Sequence, residues 1–402
     1  MSPTFHQALA SCGIVYLMNP AELAQLFRQE YDGQPLICRA PGRVNLIGEH
    51  TDYNDGFVLP CAIEFSVLVA ASARSDHKLF LRSTEFSERF EFDLHDLPPK
   101  GSGVWADYVV GVAAALKNAG SGLSGANLLV HGEVPIGAGL SSSAAIEVAT
   151  ALSLLGLIGG KTPLPEVAKL CQSAENEFVG ARVGIMDQFV SCLGKTGHAL
   201  LLDCRSLRFE LVPVPEKVKL VICNTMVKHA LAGGEYNRRR EQCEEGLSIL
   251  AKSLPGISAL RDVTPEQLAS RERDLPPMIY KRCLHVVEEN RRVGQAAECL
   301  RSGDLGQAGR LMRESHRSLR DLYEVSCREL DEMVEAADGV PGCFGGRMTG
   351  GGFGGCTVNL VDAGDAEAFC ETVAQRYKQR TGISPEIYVC SPAEGARLEL
   401  KV

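Results

Sequence analysis

Hydrophobic positions along the chain change their period several times, and each change marks an element. The first is a helix opening at Asn19, which suits the N-cap; Pro20 suits the first helical position, Glu22 completes a capping-box pattern, and Gly33 stops it. Pro35-Leu36-Ile37-Cys38 reads as a strand running into a polar segment, Ala40 to Asn54 (A-P-G-R-V-N-L-I-G-E-H-T-D-Y-N). Residues 57–73 are strand material and 78–93 a hairpin. Trp105, Tyr108, Val109, Val112 and Leu116 recur at helical spacing and predict a helix over 105–118. A strand over 126–134 leads through the Gly/Ser turn 137–143 into an Ala-rich helix ending near Leu157, and another helix runs from Pro163 to Gly180. Past residue 197 the rhythm changes, with strands near 198–203 and 217–224 and several helices between 234 and 338. Strands near 343–349 and 355–361, a helix near 364–381 and a strand near 386–391 complete the chain. No repeat or low-complexity linker intervenes, so the domain boundary rests on the change of rhythm around 190–205.

Composition bounds the function classes. With 402 residues the chain exceeds one ordinary core, which predicts two domains of roughly 200 residues each. An apolar share of 45% and a charged share of 23% describe a packed globular protein. Against 41 basic residues stand 50 acidic ones, a net charge of −9, which disfavours nucleic acid as a partner. The 15 cysteines, Cys12, Cys38, Cys61 and Cys171 among them, show no C-x-x-C spacing and often sit between apolar neighbours, as in Val221-Ile222-Cys223. They read as small buried hydrophobes in a reducing, cytoplasmic setting rather than as disulfides or zinc ligands. The N-terminal M-S-P-T-F-H-Q lacks a basic leader pattern and no apolar run approaches membrane-spanning length, so neither secretion nor a membrane is expected.

Three Gly-rich stretches invite a nucleotide reading. Gly194-Lys195-Thr196 and Gly160-Lys161-Thr162 end like a Walker A loop, but Phe189 and Leu155 stand where its first glycine must be. Gly350-Gly351-Gly352-Phe353-Gly354-Gly355 matches G-x-G-x-x-G, yet β-like residues follow it where a dinucleotide site needs a helix. Pro135 to Ala145 (P-I-G-A-G-L-S-S-S-A-A) differs, because it follows a strand and opens a strong helix. Its glycines allow close backbone approach, and the first helical turn aims free N–H groups and the positive dipole end at a ligand. Phosphate binding is favoured there over a plain serine N-cap, since three serines exceed what one cap uses.

Charged candidates are more ambiguous. Arg43, Glu49, His50, Asp52 and Tyr53 cluster around Gly42 and Gly48, and suit sugar hydroxyls, a metal or a solvated turn equally. Glu175 and Asp187 bracket the turn 180–184, and Asp187, between Met186 and Gln188, suits a structural ion pair as well as catalysis. Arg238-Arg239-Arg240 reads as a solvated helix face paired at i,i+4, as in Arg240 with Glu244. His285 and His316 read as helix-surface residues.

Together these segments resemble the galactokinases, of the superfamily that also holds homoserine, mevalonate and phosphomevalonate kinases. The resemblance covers nearly the whole chain through three motifs in order: Arg39 to Asn54, Gly137 to Ala145, and Arg347 to Gly355. It implies an α+β fold of two domains. An N-terminal ribosomal-protein-S5-like domain (1–200) binds sugar and phosphate, and a ferredoxin-like C-terminal domain (201–402) leaves room for its last strand to return to the first. The active site would lie in the cleft between them.

By the same resemblance Glu49, His50, Asp52, Gly184 and Tyr236 bind galactose. Gly137, Gly139, Leu140, Ser141, Ser142 and Ser143 surround the phosphates of ATP, with Trp105 and Tyr108 near the adenine, and Ser143 and Glu175 hold Mg²⁺. Asp187 and Arg43 are the catalytic pair for transfer of the γ-phosphate to the anomeric O1 of galactose. An Arg neighbour makes a carboxylate a weaker base, so Asp187 is expected to orient O1 first and take its proton late. Arg182 places a charge near Gly184 for which the resemblance offers no account. A kinase for N-acetylgalactosamine and a non-catalytic galactose and ATP sensor are the alternatives; the complete Ser141-Ser142-Ser143-Ala144-Ala145 run argues against the sensor. The resemblance implies a monomer or weak homodimer.

Overall fold

The computed structural model describes residues 17–228 and 232–400. The N-terminal heptapeptide and Cys12 lie outside them. The elements in order are α1 (Pro20–Glu30), β1 (Leu36–Asn45), β2 (Phe57–Val58), β3 (Pro60–Ala73), β4 (Lys78–Ser83), β5 (Arg89–Asp93), α2 (Ala106–Asn118), β6 (Ala126–Gly132), α3 (Ser142–Leu157), α4 (Leu164–Ser173) and α5 (Met186–Leu193). There follow β7 (His198–Asp203), β8 (Phe209–Pro213), β9 (Val218–Lys228), α6 (Ala232–Leu250), α7 (Pro265–Ser270), α8 (Pro277–Ser302), α9 (Leu305–Ser318), α10 (Arg328–Ala337), β10 (Cys343–Thr349), β11 (Gly354–Asp362), α11 (Ala366–Thr381), β12 (Glu386–Cys390) and β13 (Arg397–Leu400). The architecture is α+β, as expected.

A six-stranded sheet, β13-β1-β3-β6-β4-β5, carries the first half of the chain. Strand side chains alternate between faces. In β3 this sends Val67, Val69 and Ala71 into the main core under α3, and Leu68 and Ala70 into a smaller core against Leu23, Ala24 and Phe27 of α1. Burial on both faces explains why β3 is apolar almost throughout. The expected capping box at α1 is formed: Asn19 caps the backbone and Glu22 reaches back to it. The antiparallel sheet β10-β11-β9-β12 divides its residues similarly. Val221, Cys223 and Val361 meet Phe369, Val373 and Tyr377 of α11, while Leu220, Ile222 and Val358 join the main core. A third sheet, β2-β7-β8, has three strands.

Two local differences bear on the site. The segment read as loop from Ala40 is strand as far as Asn45, because β3 pairs with it along that length around an irregularity between Pro41 and Arg43. Helix α5 and strands β8 and β13 were not predicted, each being only eight residues or fewer. β13 pairs with β1, Leu398 opposite Cys38, so the C-terminal strand completes the N-terminal sheet. Every described cysteine is a free thiol, and most are buried.

Candidate active site

Three backbone turns meet where close approach leaves no room for a side chain. At the β1 irregularity Arg43 N–H donates to the Leu140 carbonyl at 3.0 Å. A Cβ on Gly42 would stand 2.5 Å from that same oxygen. Gly350, at φ +84°, faces the Gly139 carbonyl so closely that a Cβ would come within 2.9 Å, and Gly355, also at φ +84°, faces Ala138. Only glycine meets both demands, positive φ and contact with backbone. The three sequence motifs thus enclose one cleft of about 530 Å³, lined on one side by Glu49, His50, Asp52, Gly184 and Tyr236. Arg43 and Asp187 line its middle, and Glu175, Gly137, Gly139 to Ser143, Trp105 and Tyr108 line the other side.

At the first end, Glu49 is buried and held by four groups. Gly350 N–H donates to it at 2.6 Å, Asn45 Nδ2 at 3.1 Å and the Thr349 hydroxyl at 3.3 Å, and the Arg347 guanidinium lies 3.5 Å away. His50 sits at φ +63°, a conformation rare outside glycine. Burial first, then the neighbouring His285 ring, Arg239 and Arg347, lower its pKa to about 3 against a smaller opposing pull from the Gly351 backbone, so the ring is neutral. Asp52 approaches Gly184 so closely that a Cβ there would fall inside its carboxylate. Burial, with Asp187 and Glu49 close by, pushes the Asp52 carboxyl up to about 7.

In the middle, Arg43 grips Asp187 with two parallel bonds, Nε to Oδ1 and Nη2 to Oδ2, both 2.8 Å. Its third nitrogen donates to the Gly139 carbonyl at 2.7 Å. The Ser141 hydroxyl donates to Asp187 Oδ2 at 2.5 Å. Ser141 precedes α3 at φ +61° and makes no side-chain cap. Its hydroxyl is spent on Asp187, so the plain N-cap reading fails and the Gly/Ser turn is tied to that carboxylate. Burial alone would lower the Arg43 pKa, but Asp187, Glu49 and Asp52 overcome it and raise it.

At the second end, Glu175 lies in a π-helical turn over Ala174–Val179. Gln188 Nε2 donates to Glu175 Oε2 at 2.6 Å and to Glu147 Oε2 at 3.0 Å. Burial and then Asp187 push the Glu175 carboxyl up to about 7, while Ser143, Gln188 and Arg43 oppose them. Burial and Glu175 raise Glu147 well above the usual range. Two buried carboxyls without a bidentate basic partner leave an excess of acceptors beside Ser143, the setting that suits a hard cation. Among the described residues no three His, Cys, Asp or Glu side chains form a metal-ligand set. Glu49 and His50 face backbone donors and Tyr53 instead, which removes the metal reading of that trio. Trp105 stacks on Phe86 with centroids 6.2 Å apart, forming an apolar wall.

Several residues that hold the site were misread in the sequence. His285, expected on a helix surface, is fully buried; its Nε2 lies 3.1 Å from the Glu49 carbonyl. His316 is buried too, with Nε2 3.2 Å from Asp331. Arg239, expected on a solvated face, is buried and donates to the Tyr323 and Glu324 carbonyls at 2.7 and 2.8 Å. The neighbouring Arg240 does pair with Glu244, at 3.1 Å. Arg182 finds its partner in Glu244 at 2.9 Å, on the surface. Glu289 of α8 was overlooked: it accepts from Gly48 N–H at 2.9 Å, Ser315 at 2.6 Å and Arg292 at 2.7 Å. Nothing in the polar pattern of α8 distinguished it from an exposed acid.

Comparison with known proteins extends the geometry. The galactokinase galactose-binding signature matches residues 25–73, the GHMP kinase N-terminal domain residues 107–195, and the GHMP kinase C-terminal model residues 296–379. A galactokinase of Roseiflexus sp. (strain RS-1) is 46% identical over 385 residues, spanning 94% of this chain and 97% of its own. One from Haemophilus influenzae is 44% identical over 390 residues, spanning 95% and 100%. The crystal structure of Lactococcus lactis galactokinase complexed with galactose matches with a TM-score of 0.91 and 36% identity over 94% of this chain and 99% of that one. Methanococcus jannaschii mevalonate kinase shares the fold, with a TM-score of 0.63, 18% identity, and 90% and 100% coverage.

Proposed function

The chain belongs to the galactokinase family and is an ATP-dependent sugar kinase; within that function we propose that Asp187 and Arg43 direct transfer of the γ-phosphate of ATP to O1 of galactose. The observation that carries this is the bidentate Arg43–Asp187 pair, joined through Ser141 to the phosphate loop at 2.5 Å.

Phosphoryl transfer through a loose transition state depends on aligning the acceptor and spreading charge more than on making a strong nucleophile. Asp187 has both oxygens committed to Arg43, so its free lone pairs point in directions that the guanidinium sets. It orients the O1 hydroxyl and takes the proton as the O–P bond forms. Arg43 pairs with that carboxylate and presents positive charge beside the phosphate loop. Glu49, His50, Asp52, Gly184 and Tyr236 bind the other hydroxyls, where a mixed set of acceptors and donors suits a polyol. The amides of Gly137 to Ser143, at the start of α3, receive the phosphates, and Trp105 and Tyr108 flank the base.

Ser143 and Glu175 fit Mg²⁺, which keeps most of its shell for phosphate and water and takes few protein oxygens. When bound it supplies charge neutralisation at the phosphates. Glu175 is aimed by Gln188, and Ser143 by its place in the first turn of α3. The reading includes a sugar- and phosphate-binding unit over 1–200 and a C-terminal unit over 201–402, a cytoplasmic location that the buried free thiols favour, and a monomer or weak homodimer. Among the described residues no helix is long and apolar enough to cross a membrane.

Coupled ADP release with ATP and Mg²⁺ should show turnover with galactose, little with glucose and little with N-acetylgalactosamine. Turnover with N-acetylgalactosamine alone, or with no sugar, would overturn the assignment. Asp187→Asn should lower kcat by about 10²–10⁴. A kcat profile governed by an ionisation near neutral pH that disappears in this variant would rule out late proton transfer.

A further inference from the structure

A file of buried hydroxyl and thiol groups runs from His50 away from the cleft. His50 Nδ1 lies 2.7 Å from the Tyr53 hydroxyl, which lies 2.8 Å from the Tyr323 hydroxyl. The Tyr323 oxygen in turn lies 3.1 Å from Cys243 Sγ. The file crosses from the loop after β1 to the π-helical turn Leu319–Tyr323 and then to α6. Rings seal it: His50 packs on Tyr323 with centroids 4.8 Å apart and on Tyr236 at 5.4 Å, and Tyr53 meets Tyr236 edge-on at 5.5 Å. The other imidazole nitrogen, Nε2, is buried at the cleft wall beside the Gly351 backbone without a hydrogen bond of good geometry.

A neutral imidazole offers one donor and one acceptor, and the bond made at one nitrogen decides the role of the other. The file can be ordered in two directions. In one, Cys243 S–H donates to Tyr323, Tyr323 to Tyr53, and the Tyr53 O–H to His50 Nδ1. In the other, His50 Nδ1–H donates to Tyr53 and the last phenol donates to sulfur. The first direction puts a phenol donor on imidazole nitrogen, a strong acceptor. The second ends on a thiol sulfur, a weak acceptor. Each hydroxyl donates and accepts once either way, so the two ends settle the order.

We propose that Tyr53, backed by Tyr323 and Cys243, is a positioning residue that fixes His50 as the Nε2–H tautomer, so that His50 meets the sugar as a hydrogen-bond donor. The proposal rests on His50 being a sugar ligand. It makes the selectivity of that contact a property of groups that never touch the sugar. It also accounts for two tyrosines and a cysteine lined up behind a histidine when bulk alone would fill the space.

The test is ¹⁵N NMR of the full chain with ring-labelled histidine and no sugar, the His50 signals being identified by their loss in His50→Gln. Wild type should show Nδ1 as acceptor and Nε2 protonated. Tyr53→Phe should move His50 to a mixture of tautomers and raise the KM for galactose roughly tenfold, with the KM for ATP unchanged. Tyr323→Phe, one link further back, should shift the signals the same way by less, which keeps the test open if Tyr53→Phe fails to fold. A wild-type His50 protonated at Nδ1, or a Tyr53→Phe tautomer identical to wild type, would overturn the proposal. If instead the tautomer shifts while galactose KM stays constant, the relay stands and the sugar contact at His50 fails.

Discussion

Asp52 supplies a pH test of the sugar end of the cleft. Its carboxyl is lifted from an ordinary 3.8 to about 7 by burial, with Asp187 and Glu49 adding repulsion. Only the ionised form can accept hydrogen bonds at both oxygens from sugar hydroxyls. About a tenth of Asp52 is therefore ready at pH 6 and about nine-tenths at pH 8. The KM for galactose should fall about tenfold across that range while the KM for ATP barely moves. Stability should run the other way. Between about pH 4 and pH 7 folded Asp52 keeps a proton that the unfolded chain has released, so stability declines as pH rises and levels above pH 7. The decline is on the order of 4 kcal/mol for this one group. Asp52→Asn removes the buried charge, so it should be more stable than wild type at pH 8 and nearly equal to it at pH 4, yet bind galactose poorly at every pH. Initial rates at varied galactose and denaturant melts, both at pH 6 and pH 8, make the measurement. A galactose KM that is flat in wild type, or an Asp52→Asn protein less stable than wild type at pH 8, would refute the reasoning.

Other expectations follow from the same packing. Glu289→Ala leaves Arg292 buried without its carboxylate and Gly48 N–H without an acceptor, so unfolding free energy in urea should drop by about 3–5 kcal/mol; a loss below about 1 kcal/mol would show that water replaces the acid. Gly184→Ala drives a methyl group into the Asp52 carboxylate, so galactose KM should rise at least tenfold while melting temperature changes little; an unchanged KM would mean Asp52 can retreat without consequence. Glu175→Gln should raise the Mg²⁺ concentration for half-maximal rate about tenfold at constant galactose KM; an unchanged Mg²⁺ requirement would remove Glu175 from the cation site.

Much of the site was legible because it is built from local rules. Glycines that need positive φ or backbone contact, such as Gly139 and Gly350, stand out in any reading, and so does a serine run opening an alanine helix. Arg43, Glu49, His50, Asp52 and Asp187 could be picked out as candidates for the same reason, though residue type left metal, sugar and ion-pair roles open. What holds those residues was not legible. His285, Arg239 and Glu289 sit in helices whose charge pattern matches an exposed face, and they are buried because distant elements close over them.

The sequence by itself determined the order of the longer helices and strands, the capped start of α1 and the Gly/Ser turn that opens α3. Each follows from interactions within a few residues, or from a period that repeats along one element. Only the tertiary structure decided that Arg43 grips Asp187 across 144 positions, that Gly350 holds Glu49 across 301, and that β13 returns to β1. A buried charge takes its pKa and its role from whatever stands within a few ångströms, whatever the separation along the chain. Chain order records neighbours in sequence, and the chemistry of this cleft depends on neighbours in space.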